Sequence, residues 1–294
     1  RYAYIYLYDS RDRICAKKLP GIGWARMVYD DADRLVFSQD GVQSERGEST
    51  FCLYDIHGRL CVRGICSRNI SLRELVSGVT KAEYVGQDGP LAGYSCSGVS
   101  LVSPQVMEAY YFDVYDFVSD FPTGLPGSAS MYGAPIPSTM GRQTGSCMHE
   151  MGENVSNDKV WNLVRYDDRG RVTHTEASYP DGGWSTEDVE YDFLGNPVHQ
   201  HRSHRKGTSY PSTVEDLSCT YDHRSRLLEV THSLDGGSPV LLASNVYDEL
   251  GRLSGTERGG SASLSSSYSY NVRSWLREIG GPLFSETLHY DDQR

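Results

Sequence analysis

Apolar and polar residues alternate over short stretches of this chain, the period-two pattern that predicts β-strands with one face packed and one face wet. Tyr2, Tyr4, Tyr6 and Tyr8 occupy every second place of the opening segment. Residues 171–176 and 226–232 carry β-branched side chains in partial alternation, and residues 109–118 read as a strand with Tyr110, Phe112 and Val114 on one face. Breaks such as Pro180-Asp181-Gly182-Gly183, Asp235-Gly236-Gly237 and Gly259-Gly260 separate the strands and predict turns. Residues 71–79 read as a short helical turn or a loop. The longest apolar runs are a few residues, far short of the roughly 20 that a membrane-spanning helix needs. The opening segment also lacks the basic start and apolar middle of a secretory leader, so the expectation is that a leader was removed or that this is an internal piece.

The strands are punctuated by a dipeptide. Of 21 tyrosines, nine precede an aspartate, where random placement of 21 Tyr and 23 Asp in 294 residues would give about 1.6. They are Tyr8-Asp9, Tyr29-Asp30, Tyr54-Asp55, Tyr115-Asp116, Tyr166-Asp167, Tyr191-Asp192, Tyr221-Asp222, Tyr247-Asp248 and Tyr290-Asp291, with Tyr270-Asn271 as a variant. Within two regular blocks the steps run from 20 to 30 residues. Six copies place an arginine four residues after the aspartate: Arg13, Arg34, Arg59, Arg171, Arg226 and Arg252. The fourth place after the tyrosine is Gly58, Gly170, Gly195 or Gly251, and otherwise Asp12, Asp33, Ser225 or Ser274, all residue types that tolerate turn geometry. The unit therefore reads as a strand ending in Tyr, a tight turn opened by Asp, and a second strand starting at Arg. In this reading Tyr is a packing anchor, while Asp and Arg hold the turn together.

A lone hairpin is marginal in water, whereas hairpins paired edge to edge share one sheet. The expected fold is all-β, an antiparallel meander of hairpins forming a curved sheet or part of a hollow shell. Repeats occupy residues 1–70 and 156–294, and an irregular insertion, residues 71–155, separates them. That insertion holds the imperfect Tyr115-Asp116 and a Pro-, Gly- and Ser-rich stretch, residues 122–145, which reads as an ordered long loop.

The phrases Tyr54-Asp55-Ile56-His57-Gly58-Arg59-Leu60 and Tyr247-Asp248-Glu249-Leu250-Gly251-Arg252-Leu253 resemble the YD repeat of the bacterial rearrangement-hotspot (Rhs) family, shared with insecticidal toxin-complex C components and the animal teneurins. The two repeat blocks cover about 70 % of the chain. Tyr191-Asp192-Phe193-Leu194-Gly195-Asn196-Pro197 and Tyr270-Asn271-Val272-Arg273-Ser274-Trp275 are similar to phrases of wall-associated members. The resemblance implies a secreted or cell-surface protein whose sheet spirals into a shell around an effector domain of the same polypeptide. Shells of this family usually end in a self-cleaving segment with Asp-Pro sequences, and no Asp-Pro dipeptide occurs here, so self-cleavage is not assigned. About nine repeats are few for a closed shell, and the sequence stops as Tyr290-Asp291 begins another. The expectation is a window from a longer array.

Composition narrows the chemistry. With 28 Lys+Arg against 39 Asp+Glu the net charge is −11, a balance that argues against nucleic acid as partner. The seven cysteines contain no CxxC pair and indicate neither a zinc ribbon nor a disulfide scaffold. His199 and His201 share a strand face as two metal ligands would, but Arg202, Arg205 and Lys206 crowd them, so no metal is assigned. Cys147 and His149 are sequence neighbours without a group to orient the base. Asp30-Asp31-Ala32-Asp33 and Asp167-Asp168 lack the glutamate at the twelfth place that an EF-hand loop requires. Trp161, Trp184 and the tyrosines could stack on sugars, which keeps a surface glycan-binding or adhesion module as the second reading. An enzyme seated in residues 71–155 is the third. The preferred expectation is a non-enzymatic structural module without cofactor.

Overall fold

A computed structural model describes residues 3–86, 88–120, 139–149 and 159–290. Its strands are β1 (Ile5–Tyr8), β2 (Ile14–Lys18), β3 (Trp24–Tyr29), β4 (Leu35–Gln39), β5 (Glu48–Tyr54), β6 (Leu60–Ser67), β7 (Lys81–Tyr84), β8 (Tyr94–Ser97), β9 (Gln105–Phe112), β10 (Gln143–His149), β11 (Lys159–Tyr166), β12 (Val172–Ser178), β13 (Trp184–Tyr191), β14 (Pro197–Arg205), β15 (Thr213–Tyr221), β16 (Leu227–Leu234), β17 (Val240–Tyr247), β18 (Leu253–Arg258), β19 (Ser261–Tyr270), β20 (Leu276–Gly280) and β21 (Glu286–Thr287). One short helix, α1 (Gly41–Arg46), and one 3-10 helix, Asp116–Asp120, complete the described elements. Nineteen strands form an antiparallel sheet, while β7 and β8 pair with each other as a separate hairpin. The fold is all-β and antiparallel, with strands paired to their neighbours in sequence, as the alternation predicts.

Two compact units divide the chain: residues 1–171 with 176–182, and residues 172–175 with 183–294. In the first, pairing proceeds from β1 through β6, then passes over the β7–β8 hairpin to β9, β10 and β11. The apolar period of two decides which face is buried. In β5, Ser49, Phe51 and Leu53 are buried and the intervening residues are half-buried. Val28, Val36, Phe37, Val62, Ala109 and Tyr111 belong to the same core, which the β7–β8 hairpin and the 3-10 helix close with Ala82, Tyr94, Phe117 and Val118. Gly64 lets β9 come close, because a Cβ there would stand 2.6 Å from Phe51 Cζ and 2.2 Å from the Gln105 carbonyl oxygen.

The strand in residues 109–118 differs from its sequence reading. It runs Gln105–Phe112 and ends before Val114; Tyr110 and Phe112 share one face, and the opposite face carries the buried Ala109 and Tyr111. Packing explains the choice. The Tyr111 ring stacks on Phe117 at 4.2 Å between centroids, and its hydroxyl donates to the Ala92 carbonyl at 3.0 Å. Residues 71–79 form a turn and loop without helix. Of the stretch 122–145, residues up to 138 lie outside the described ones, and Gln143 already belongs to β10.

The second unit pairs β13 through β21 in order. Its strands carry Ser, Thr, His and acids where the first unit carries Val, Phe and Leu. His174, Gly183, Trp184, Thr186, Gly207 and Thr256 are its buried residues, and among its described residues no element outside the sheet covers either face. Its looser turns are locally coded: Gly259 and Gly260 both take φ of 61°, the type I′ geometry that joins β18 to β19.

Candidate functional site

The repeated turn is the most elaborated chemistry in the molecule. β1, β3, β5, β11, β13, β15, β17 and β19 all end on the motif tyrosine. The partner strand begins one residue after the motif arginine, as at Leu60 and Leu227, rather than at the arginine itself. Asp55 shows the pattern. Its amide donates to the Arg59 carbonyl at 3.0 Å, its Oδ1 accepts the amides of His57 at 2.8 Å and Arg59 at 2.9 Å, and its Oδ2 accepts Arg59 Nε at 2.6 Å. The same set recurs at Asp9, Asp30, Asp167, Asp222 and Asp248 with Arg13, Arg34, Arg171, Arg226 and Arg252. The fourth place after the tyrosine is left-handed in the eight turns that follow β1, β3, β5, β11, β13, β15, β17 and β19, from φ 58° at Asp12 to 97° at Gly195, which is why Gly, Asp and Ser stand there. Asn271 replaces the aspartate in one turn and still accepts the amides of Arg273 and Trp275.

Each turn is also tied to its neighbour, and this the sequence pattern does not reveal. The Tyr54 hydroxyl donates to the Leu35 carbonyl at 3.0 Å, the residue just after Arg34. Tyr29 reaches Ile14, Tyr191 reaches Val172, Tyr221 reaches Pro197, Tyr247 reaches Leu227 and Tyr270 reaches Leu253 in the same way, at 2.8–3.1 Å. In return the arginine lies over the next tyrosine ring: Arg13 on Tyr29 at 4.7 Å, Arg34 on Tyr54 at 5.1 Å, Arg226 on Tyr247 at 4.6 Å and Arg252 on Tyr270 at 4.7 Å. Arg13 Nη1 further donates to the Asp30 carbonyl at 3.2 Å, and Arg34 Nη1 to that of Asp55 at 3.3 Å. One arginine therefore clamps its own aspartate and the following turn together.

These contacts set the electrostatics. The Arg226 side chain and amide hold the Asp222 carboxyl down to about 2. Burial pushes Asp30 upward, but the Arg34 side chain and amide and Thr80 outweigh it, so its pKa lies below the ordinary carboxylate value. Asp192 is lowered chiefly by the side chain of Asn196, which stands where other copies have arginine. Burial pushes the Tyr54 hydroxyl up to about 12, so it stays a donor.

One copy is divided. The Asp113 amide donates to the Arg142 carbonyl at 3.1 Å, and Asp113 Oδ1 accepts the amide of Gly141, whose φ is 81°. Arg59 lies over the Phe112 ring at 4.4 Å and Arg142 over Tyr166 at 5.3 Å, while Tyr166 donates to the Gln143 carbonyl at 2.7 Å. Phe112-Asp113 and Gly141-Arg142 thus build the repeat turn between β9 and β10, with residues 114–140 inserted into it. Tyr115-Asp116, which the dipeptide search marks, does not form that turn: Tyr115 donates to the Val164 carbonyl and Asp116 opens the 3-10 helix.

The other candidates are placed as follows. His199 and His201 share a face and approach Asp216 Oδ1 at 3.6 and 2.7 Å, and His201 Nδ1 donates to it. Arg202 lies across the sheet with Glu187 and Glu215. Among the described residues no group of three His, Cys, Asp or Glu is placed to hold a metal ion. Cys147 is fully buried, and Glu150 beside it lies outside the described residues. Burial and then Lys159 hold His149 below its usual value. Asp33 accepts Arg11 and Arg13, and Asp30 is held by Arg34 and Thr80, so both carboxylates face cations or hydroxyls. Trp161 and Trp184 are 4 % and 5 % exposed and offer no ring face to solvent. No described helix is long and apolar enough to cross a membrane.

Removing one tie gives a direct measure of it. Tyr221→Phe is expected to lower stability by about 1 kcal/mol, the net value of one hydrogen bond, while Val272→Ala, at a fully exposed turn position, leaves the urea midpoint unchanged. Equal midpoints for Tyr221→Phe and the parent would show that the hydroxyl does not tie the repeats.

The fold and its repeated turn define an all-β protein assembled from copies of one hairpin. No protein-family model and no curated protein matches the chain. Among solved structures it is similar to a crystal structure of TcdB2-TccC3, with a TM-score of 0.29 and 10 % identity over 94 % of this chain and 14 % of that one. A crystal structure of TcdB2-TccC3-Cdc42 gives a TM-score of 0.25 and 11 % identity over 94 % of this chain and 17 % of that one. This chain thus spans 14 % and 17 % of the lengths of those chains.

Proposed function

We propose that this chain is a wall segment of an Rhs-like YD-repeat shell, secreted or displayed at a cell surface, that encloses or presents an effector domain of its own polypeptide and performs no catalytic step itself. The observation that carries the reading is the clamp: the motif Asp closes its own turn while Tyr and Arg are directed at the adjoining turns, so the motif serves to extend a sheet hairpin by hairpin. A motif devoted to a ligand would instead leave these groups free. Nothing in the reading needs a cofactor.

Enclosure is tested on the natural polypeptide that carries this chain. An enclosed domain is expected to resist trypsin at least about tenfold longer than the same domain expressed alone, because cleavage then waits on opening of the wall. Equal lifetimes would remove enclosure.

A further inference from the structure

We propose that the edge of the second unit on which its motif turns lie docks peripherally on an anionic lipid bilayer.

The argument comes from the two turn positions that the repeat leaves unspecified. In Tyr-Asp-x-x-Gly-Arg the aspartate, the left-handed fourth place and the arginine close the turn, so the two places between Asp and Gly are open to polar residues, as in Ser10-Arg11 and Asp168-Arg169. Four of these places in the second unit are apolar instead. Phe193, Leu194 and Leu250 are 81 %, 63 % and 73 % exposed, and Val272 is fully exposed. The turns themselves are closed through Asp192, Asp248 and Asn271, so turn geometry gives no reason for large apolar side chains at the apex.

Topology gathers these tips. The turns that join β13 to β14, β15 to β16, β17 to β18 and β19 to β20 all open on the same edge of the antiparallel meander, and successive ones lie two strand spacings, about 10 Å, apart. The other tips of the row are mostly basic: Arg224 stands at the one turn without an apolar tip and Arg273 beside Val272, both exposed, against the single acid Glu249. The motif carboxylates are taken up inside their turns, Asp222 and Asp248 by Arg226 and Arg252, and Asp192 by the amide and side chain of Asn196. Trp275 adds an amphipathic ring to the same edge, 41 % exposed and with the Arg273 guanidinium 5.2 Å from its centroid.

A bilayer fits this edge better than a protein partner does. A protein interface needs a contiguous, closely packed patch, whereas these tips are separated by polar turn backbone. At the boundary of headgroups and acyl chains each apolar tip is buried separately, the arginines stay with lipid phosphates, and an indole sits at headgroup depth. The sign of the charge matches too. The chain as a whole carries −11, yet its exposed tips on this edge are arginine more often than acid, which suits an anionic surface.

The test is co-sedimentation of the whole chain with vesicles of phosphatidylcholine alone and of phosphatidylcholine with about 30 % phosphatidylserine. Retention on the mixed vesicles is expected, weakening with added salt and at least about fivefold lower on phosphatidylcholine alone. Leu194→Ser/Leu250→Ser/Val272→Ser should lower the partition coefficient at least about tenfold while leaving the urea midpoint unchanged. Arg224→Gln/Arg273→Gln should lower it at least about fivefold on the mixed vesicles. Tyr210→Ser, at an exposed ring on the opposite edge, should leave it as it is. No retention on either vesicle, retention indifferent to phosphatidylserine or to both sets of substitutions, a loss of the same size in Tyr210→Ser, or self-association of the parent that the triple variant abolishes and vesicles leave intact would each overturn the assignment. The inference rests on the turn tips and not on enclosure, so its failure leaves the protease experiment to be judged separately.

Discussion

Arg34→Ala is expected to cost the first unit about 3–5 kcal/mol, the range for removing one partner of a buried ion pair. Asp30 is 1 % exposed, and Arg34 bonds its Oδ2 at 2.7 Å through Nη2 and at 3.1 Å through Nε. The same guanidinium donates to the Asp55 carbonyl and to the Thr80 carbonyl, and lies over Tyr54. Its loss leaves a carboxylate in the interior with only amides and the Thr80 hydroxyl to replace water. Arg252→Ala is the internal comparison. It removes the same contacts from Asp248, whose side chain is 24 % exposed, so solvent takes over and the loss is smaller. Hydrogen exchange at β3 and β4 against β17 and β18 reads the two effects separately. If Asp30→Ala/Arg34→Ala is as destabilised as Arg34→Ala, the buried charge is not the cause, and equal losses at the two arginines would sink the argument altogether.

The difference between those two arginines marks the boundary of what the sequence discloses. Tyr-Asp-x-x-Gly-Arg is a local code, because every group that closes the turn lies within six residues. Strand ends, the left-handed fourth position and the Asp-to-Arg contact are therefore legible at Tyr8, Tyr29, Tyr54, Tyr166, Tyr221 and Tyr247, and the first two also at Tyr191, where Asn196 replaces the arginine. The tie between turns is not, since the Tyr54 hydroxyl finds its acceptor 19 residues away and the pairing register that brings Leu35 there is set by the whole sheet. Thr80, which buries Asp30, is 50 residues distant and belongs to the irregular insertion, so no pattern in the repeat separates Asp30 from Asp248.

Residues 114–140 hide a further copy by the same logic. A search for the Tyr-Asp dipeptide finds Tyr115-Asp116 and passes over Phe112-Asp113, and one that requires the aspartate and the glycine to be three residues apart misses the copy as well, because Gly141 arrives only after the insertion. A Gly-Arg pair without a preceding Tyr-Asp is the signal that could have exposed it. α1 had a readable signal too: Asp40 accepts the Gln43 amide at 2.8 Å while Gln43 accepts the Asp40 amide at 3.0 Å, the reciprocal capping box that Asp-x-x-Gln encodes. His199 and His201 do lie on one face, but the cations beside them in sequence are distributed to other partners by strand alternation. Adjacency along a strand therefore misjudges their surroundings.

Acid is expected to dismantle the repeats together. Asp9, Asp30, Asp113, Asp167, Asp192, Asp222 and Asp248 all titrate below the ordinary carboxylate value when folded. The unfolded chain then binds more protons than the folded one, so stability rises with pH across this range. Each contribution is in place above about pH 4 and disappears as pH falls through the folded value, which for Asp222 is about 2. Because one motif is copied along the sheet, the protons add, and urea midpoints are expected to hold from pH 7 to about 5 and to collapse between about 4 and 2. Asp222→Asn isolates one copy. It should lower the midpoint at pH 7, where the Arg226 contact is ionic, and converge with the parent only as pH falls below about 2, where Asp222 is itself protonated. A gap that persists below that pH would assign the loss to altered turn geometry, and a flat parent profile from pH 5 to 2 would show that the carboxylates do not hold the hairpins. At the alkaline end the sign reverses: burial raises Cys61 to about 11 and Tyr54 and Tyr115 to about 12, so the unfolded chain ionises first and stability declines above about pH 9–10. The aspartate loss involves turns of both units, whereas these three raised groups all lie in the first. The second unit should therefore be the more tolerant of base, and hydrogen exchange resolved by strand would distinguish the two.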